Sequence, residues 1–215
     1  MSDPIAEKIA EQIADRTRST LAMISLAMAL LAPVPAMADD DSEVRDWHLG
    51  VYSGRAAKDR LLDIITQYDT GFIDSYLVAL APGFVHRETR RWRFEVEAQA
   101  VKHWGEQDHW EFNAAYIARW KPFPWDGTID TSIAVGGGAS YALETPPIEP
   151  RADRETVEDS AKLLGYLMLE IEAGPPGDAP WSVFVRLHHR SGAKGLFKDV
   201  NGGSNFVTGG LRWEF

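Results

Sequence analysis

Beyond residue 45 the chain alternates apolar and polar side chains with a period of two, the spacing of β-strands. Residues 91–104 set Trp92, Phe94, Val96, Ala98 and Ala100 against Arg93, Glu95, Glu97 and Gln99. Residues 181–192 set Trp181, Val183, Val185 and Leu187 against Ser182, Phe184, Arg186, His188 and Arg190. The same pattern recurs over 46–54, 109–121, 128–143, 162–173 and 205–215, with a more evenly apolar stretch at 75–87, which makes eight predicted strands. The polar rows carry several full charges per strand, and a small soluble barrel would have to bury its apolar rows instead. Clean apolar rows of about 9–11 residues suit tilted strands that cross a bilayer. A bilayer accepts strands only in a closed barrel, because an open edge leaves backbone groups unpaired. The fold class expected is therefore all-β, an eight-stranded antiparallel transmembrane barrel of the bacterial outer membrane, with its charges paired inside. The competing reading is a soluble sandwich that ends on an edge strand.

The eight tryptophans favour the barrel. With the N-terminus in the periplasm, Trp47, Trp92, Trp120, Trp125, Trp181 and Trp213 fall at the periplasmic rim, and Trp104 and Trp110 at the outer rim. Aromatic girdles at both interfaces are what a membrane selects. The connections expected at the periplasmic rim, 87–90, 122–127 and 174–180, are short. Those at the outer rim, 54–74, 145–159 and 193–204, are longer, with 105–108 the exception. The final Leu211, Trp213 and Phe215 resemble the C-terminal signal of outer-membrane barrels.

Residues 21–32, LAMISLAMALLA, form a short apolar run after Arg16 and Arg18 and before the small-x-small pattern at Ala36–Ala38. Residues 1–38 are accordingly expected to be a signal peptide and residues 39–215 the barrel. After the first 40 residues no apolar run of about 20 follows, so no membrane-crossing helix is expected. A net charge of −10 argues against a nucleic-acid partner. The absence of cysteine removes a thiolate nucleophile and a cysteine-based metal site.

On strand 181–192 the apolar row ends in His189 and Ser191, which places an imidazole and a hydroxyl on the lipid side near the outer rim. Ionisable groups facing lipid invite a functional reading; solvation by headgroups at the rim is the plain alternative. At i and i+2 the two residues share a face, about 6.5–7 Å apart along the strand. A histidine within side-chain reach of a serine can take its proton and make it a nucleophile. The residues His189-Arg190-Ser191-Gly192-Ala193, within VRLHHRSGAKGLFKDVNGG, resemble the lipid A 3-O-deacylase (PagL-type) family over about residues 181–215. The resemblance implies an eight-stranded outer-membrane barrel that hydrolyses an ester-linked acyl chain of lipid A without a cofactor or metal. It implies Ser191 as nucleophile, His189 as base, Asn205 as the residue orienting the imidazole, and the amides near Gly192 and Ala193 as oxyanion donors. Asn205 stands where the family has an acid, Gly192 stands where it has an asparagine, and Asp199 in the loop is another candidate for the acid. The implied partners are lipopolysaccharide of the outer leaflet and the surrounding lipids, and a homodimer stays open. The reading of a different class is a non-catalytic barrel with an envelope-structural or surface-interaction role.

The remaining features read as structural. Gly136–Gly138 precedes no helix, so it is expected to be a barrel kink or close packing rather than a phosphate loop. His103 and His109 flank a tight loop and are expected at the interface rather than on a metal. Arg186, His188 and Arg190 are expected to point inward and pair with lumen acids such as Glu170, Glu172 and Glu214. The acidic run 149–159 is expected to be a solvated outer loop.

Overall fold

A computed structural model of the chain describes residues 47–67, 70–149, 160–177, 179–192, 200 and 202–215. The expected signal peptide, Ala193 and Asp199 lie outside these residues. Eight strands form: β1 (Trp47–Ala57), β2 (Phe72–Glu88), β3 (Trp92–Gly105), β4 (Trp110–Trp120), β5 (Asp130–Ala142), β6 (Leu163–Gly174), β7 (Trp181–Ser191) and β8 (Gly203–Glu214). Each pairs antiparallel with its sequence neighbours, and β8 pairs with β1 to close the barrel. Backbone bonds join Trp47 to Phe215 at 3.3 and 3.0 Å, so the two ends of the barrel chain meet at one rim. The expected orientation makes this the periplasmic rim and the opposite one the outer rim.

The alternation places apolar side chains outside and charges inside. Val51, Leu80, Val96, Ile133, Ile171, Val185 and Leu211 are exposed on the outer surface, which is the arrangement of a lipid-facing wall. Trp92 lies directly opposite Trp120 and Trp181 opposite Trp213, which levels the aromatic rings along the periplasmic rim. Inside, Arg119 bonds Glu95 at 2.8 Å and Glu170 at 2.7 Å. Arg186 bonds Glu170 and Glu97, both at 2.6 Å, and lies over the Tyr52 ring. Arg212 bonds Glu95 at 3.1 Å and His48 at 2.9 Å. These groups are nearly or wholly buried, so each charge has its counter-charge in the lumen. Gly83 is part of this packing, because a Cβ there would stand 2.1 Å from the His48 ring.

Four expectations are corrected. The first outer connection is not a plain loop from 54 to 74: β1 runs on to Ala57 and a helix, α1 (Leu61–Gln67), precedes β2. Glu149 is not solvated. It is fully buried and accepts from Arg190 at 2.6 Å, because an inward arginine at this level needs a carboxylate. His103 and His109 are not interfacial but turn into the lumen, with 1% and 4% exposure. Of the two readings of Gly136–Gly138, the kink is corrected and close packing holds: the stretch continues the regular pairing of β5 with both neighbours, and a Cβ on Gly138 would stand 1.9 Å from the Ala114 carbonyl.

Replacing Arg186 with leucine removes the guanidinium that Glu97 and Glu170 share in a buried space and leaves Glu97 without an arginine. Removing one partner of a buried pair costs about 3–5 kcal/mol. The urea midpoint of the detergent-folded barrel is expected to fall accordingly, read by loss of the heat-modifiable band on gels. An unchanged midpoint would mean the lumen network contributes no such stability.

Candidate functional site on the outer face of β7 and β8

The outward row of β7 passes from exposed Trp181, Val183 and Val185 to half-buried Leu187, His189 and Ser191. Ser191 closes the strand at the outer rim. Its direct cross-strand neighbours are glycines on both sides, Gly165 on β6 and Gly203 on β8. A Cβ on Gly203 would stand 2.3 Å from the Arg190 carbonyl and 3.0 Å from the Ser191 Cβ. Only a glycine lets the two strands approach this closely beside the serine.

His189 lies opposite Leu167 on one side and Asn205 on the other. Its Nδ1 is 2.6 Å from Asn205 Oδ1. Asn205 is on the exterior row of β8 yet only 1% exposed. Its Nδ2 donates to the Asp59 carbonyl at 2.9 Å. That second bond settles which way the amide points, because the carbonyl of Asp59 requires a donor. Oδ1 therefore accepts from His189 Nδ1–H. In the neutral ring this leaves the lone pair on Nε2, the nitrogen that a general base uses. Asn205 supplies orientation without charge, so an imidazolium formed here gains less stabilisation than beside a carboxylate.

The first outer loop is part of the site. Lys58 N–H donates to Gly71 O at 2.8 Å, and Gly71 N–H donates to Asp59 Oδ2 at 3.1 Å, which pins the base of the loop. The loop carries α1, whose Leu62 and Ile65 are exposed and share one face three residues apart. An apolar helix face thus lies on the loop that also fixes Asn205.

His189, Ser191 and Asn205 share the exterior face that their parity in the sequence predicts. The Asp59 backbone carbonyl carries no signal in the sequence, and Gly165 and Gly203 become neighbours of Ser191 only through the register. Glu170 turns inward to Arg119 and Arg186, away from this face. The Gly192 amide, expected to be an oxyanion donor, instead donates to Gly202 O at 3.1 Å. It is held by the extension of the β7–β8 ladder. A Cβ on Gly192 would stand 1.9 Å from Val200 O, so the backbone is closely covered there.

No family model and no curated protein matches the sequence. Among solved structures, the chain is similar to the outer membrane enzyme PagL, with 16% identity, 76% of this chain and 97% of that chain covered, and a TM-score of 0.48. It is also similar to Neisserial surface protein A (NspA), with 10% identity, 79% and 97% coverage and a TM-score of 0.47. A third similarity is to the outer membrane protein OprG from Pseudomonas aeruginosa, with 11% identity, 79% and 95% coverage and a TM-score of 0.41.

The hydrogen bond from Asn205 sets the tautomer of His189. Long-range proton–nitrogen spectra of the barrel with labelled histidine are expected to show Nδ1 protonated and Nε2 unprotonated. Asn205→Ala is expected to mix the two forms; an unmixed ring in that variant would remove Asn205 from the role of orienter.

Proposed function

We propose that this barrel is a lipid A deacylase-like esterase of the outer membrane. The observation that carries the reading is the His189 Nδ1–Asn205 Oδ1 bond of 2.6 Å on the lipid-facing wall, two residues from a serine on the same row. Ser191 Oγ attacks the carbonyl of an ester-linked acyl chain while His189 Nε2 takes its proton. The tetrahedral intermediate collapses, and the imidazolium returns the proton to the departing sugar oxygen. Water then attacks the acyl-serine, with His189 again as base, and releases the fatty acid. Glycines at both cross-strand positions of Ser191 put no side chain beside the nucleophile on either neighbouring strand. The exposed apolar face of α1 and the apolar wall below the site favour an acyl-chain substrate that arrives through the membrane. The lumen is an unsuitable route, because it is filled by the ion-pair network. The resemblance of residues 181–215 to the lipid A 3-O-deacylase family points to the same substrate class.

A non-catalytic barrel is the second reading. It is favoured by the engagement of the Gly192 amide with Gly202 and by a neutral Asn205 where a charged orienter would serve catalysis better.

Mass spectrometry of lipid A from cells producing the parent or Ser191→Ala separates the two. Loss of one acyl chain with the parent alone supports the esterase and its nucleophile. Retention of every acyl chain with a folded, inserted parent supports the non-catalytic barrel, and loss with both proteins moves the chemistry to other residues. If the esterase holds, Asn205→Ala is expected to lower the deacylation rate by about 10²-fold or more, the scale of positioned acid–base catalysis. A rate within a factor of two of the parent would show that the imidazole needs no orienter.

A further inference from the structure

Away from the β7–β8 face, the outer end of the lumen holds a second group of chemically capable side chains. His103 ends the inward row of β3, His109 precedes β4, and Glu111 begins the inward row of β4. The hairpin between them is closed by His103 N–H donating to His109 O at 3.0 Å. The two imidazoles are stacked, with centroids 4.5 Å apart and planes 11° from parallel. Glu111 is 2% exposed, with Oε2 at 3.1 Å from His103 Nε2 and Oε1 at 3.0 Å from His188 Nε2.

Two polar atoms here are buried and, among the described residues, have no hydrogen-bond partner: His109 Nε2 and Gln107 Oε1. A buried polar atom left unsatisfied costs about 1–3 kcal/mol, and each one calls for an explanation. One ligand atom from each of His103, His109 and Glu111 lies within 4.8 Å of the others.

We propose that His103, His109 and Glu111 bind a divalent transition-metal ion of the zinc class. Two imidazoles and a carboxylate are a donor set that zinc accepts, with a fourth position left for water. Ligand atoms around zinc stand about 3.3 Å apart at the usual bond lengths, so rotation of the stacked rings toward Glu111 closes the site. Gln107 is placed to support it. Its amide nitrogen is 2.9 Å from His103 Nδ1. With the amide turned over, Oε1 accepts from Nδ1–H and His103 Nε2 presents its lone pair to the metal. That is the usual outer partner of a ligating histidine. Glu111 keeps one oxygen on His188 and gives the other to the ion. The ion would join the two arms of the β3–β4 hairpin at its tip, while the bond from Glu111 to His188 ties them to β7.

The test is zinc titration of the tag-free, chelator-treated barrel in detergent, followed by calorimetry, with elemental analysis for stoichiometry. One ion per chain is expected, with His109→Phe weakening binding by at least about 10-fold. Phenylalanine keeps the ring stack, and heat-modifiability reports that the variant is folded. His86→Phe, at the exposed histidine of the periplasmic end, is expected to leave binding unchanged. Cobalt in place of zinc gives a second readout: a visible absorption band in the parent that Glu111→Gln abolishes. Absence of zinc binding by the parent, or equal binding by parent and His109→Phe, overturns the site. So does loss of binding with His86→Phe alone.

Discussion

Arg186 is buried between Glu97 and Glu170, and the packing of the lumen is organised around that arrangement. A charge at the centre of an eight-stranded lumen has no water to fall back on, so it must be answered by side chains of other strands. Glu97 comes from β3 and Glu170 from β6, and Glu170 also binds Arg119 of β4. One network thus spans strands on opposite walls. A slip of one residue in any of these strands would turn an arginine or glutamate into lipid and an aliphatic side chain into the lumen. The register is therefore held by charge as well as by backbone hydrogen bonds. On β7 the same constraint that turns Arg186, His188 and Arg190 inward turns His189 and Ser191 outward.

The exterior group then has its own constraint. Asn205 bridges two elements that are far apart in sequence, His189 on β7 and Asp59 in the first outer loop. An aspartate in its place would set an acceptor against the Asp59 carbonyl unless it held a proton. An asparagine satisfies both neighbours at once. The neutral residue at this position is thus explained by the path of the first outer loop. The absence of charge beside the imidazole and the tie to the first outer loop both follow from the asparagine.

The strands were legible because each carries charges on one row and aliphatic or aromatic residues on the other, and parity needs no knowledge of partners. Their ends were less so: β1 continues to Ala57 through a register shift against β2 that no periodicity announces. The helix Leu61–Gln67 spans only two turns, too short to show a 3.6-residue period. Of the exterior group, His189, Ser191 and Asn205 could be placed by counting along their own strands. Gly165 and Gly203 could not be assigned to Ser191, because their role depends on pairing between strands. The Asp59 carbonyl carries no residue-type signal at all. Glu149 was misread because an acidic run resembles a solvated loop, whereas the deciding fact is the inward Arg190 that it answers.

The hairpin between β3 and β4 shows the same limit from the other side. His103 and His109 are separated by a tight loop, and Trp104 and Trp110 beside them are exposed at the outer rim. Next to two interfacial tryptophans, the histidines read as interfacial too. Parity decides otherwise: Trp104 and Trp110 take the outward positions, so the residue before each is turned inward. In the lumen an imidazole must find a donor, an acceptor or an ion. His103 and His188 find Glu111, whereas His109 Nε2 meets no described partner. Arg119 and Arg186 are paired with carboxylates at mid-depth, whereas at the outer end His109 Nε2 and Gln107 Oε1 have no hydrogen-bond partner among the described residues. The difference marks the hairpin tip as the part of the interior where a further bound group would complete the packing.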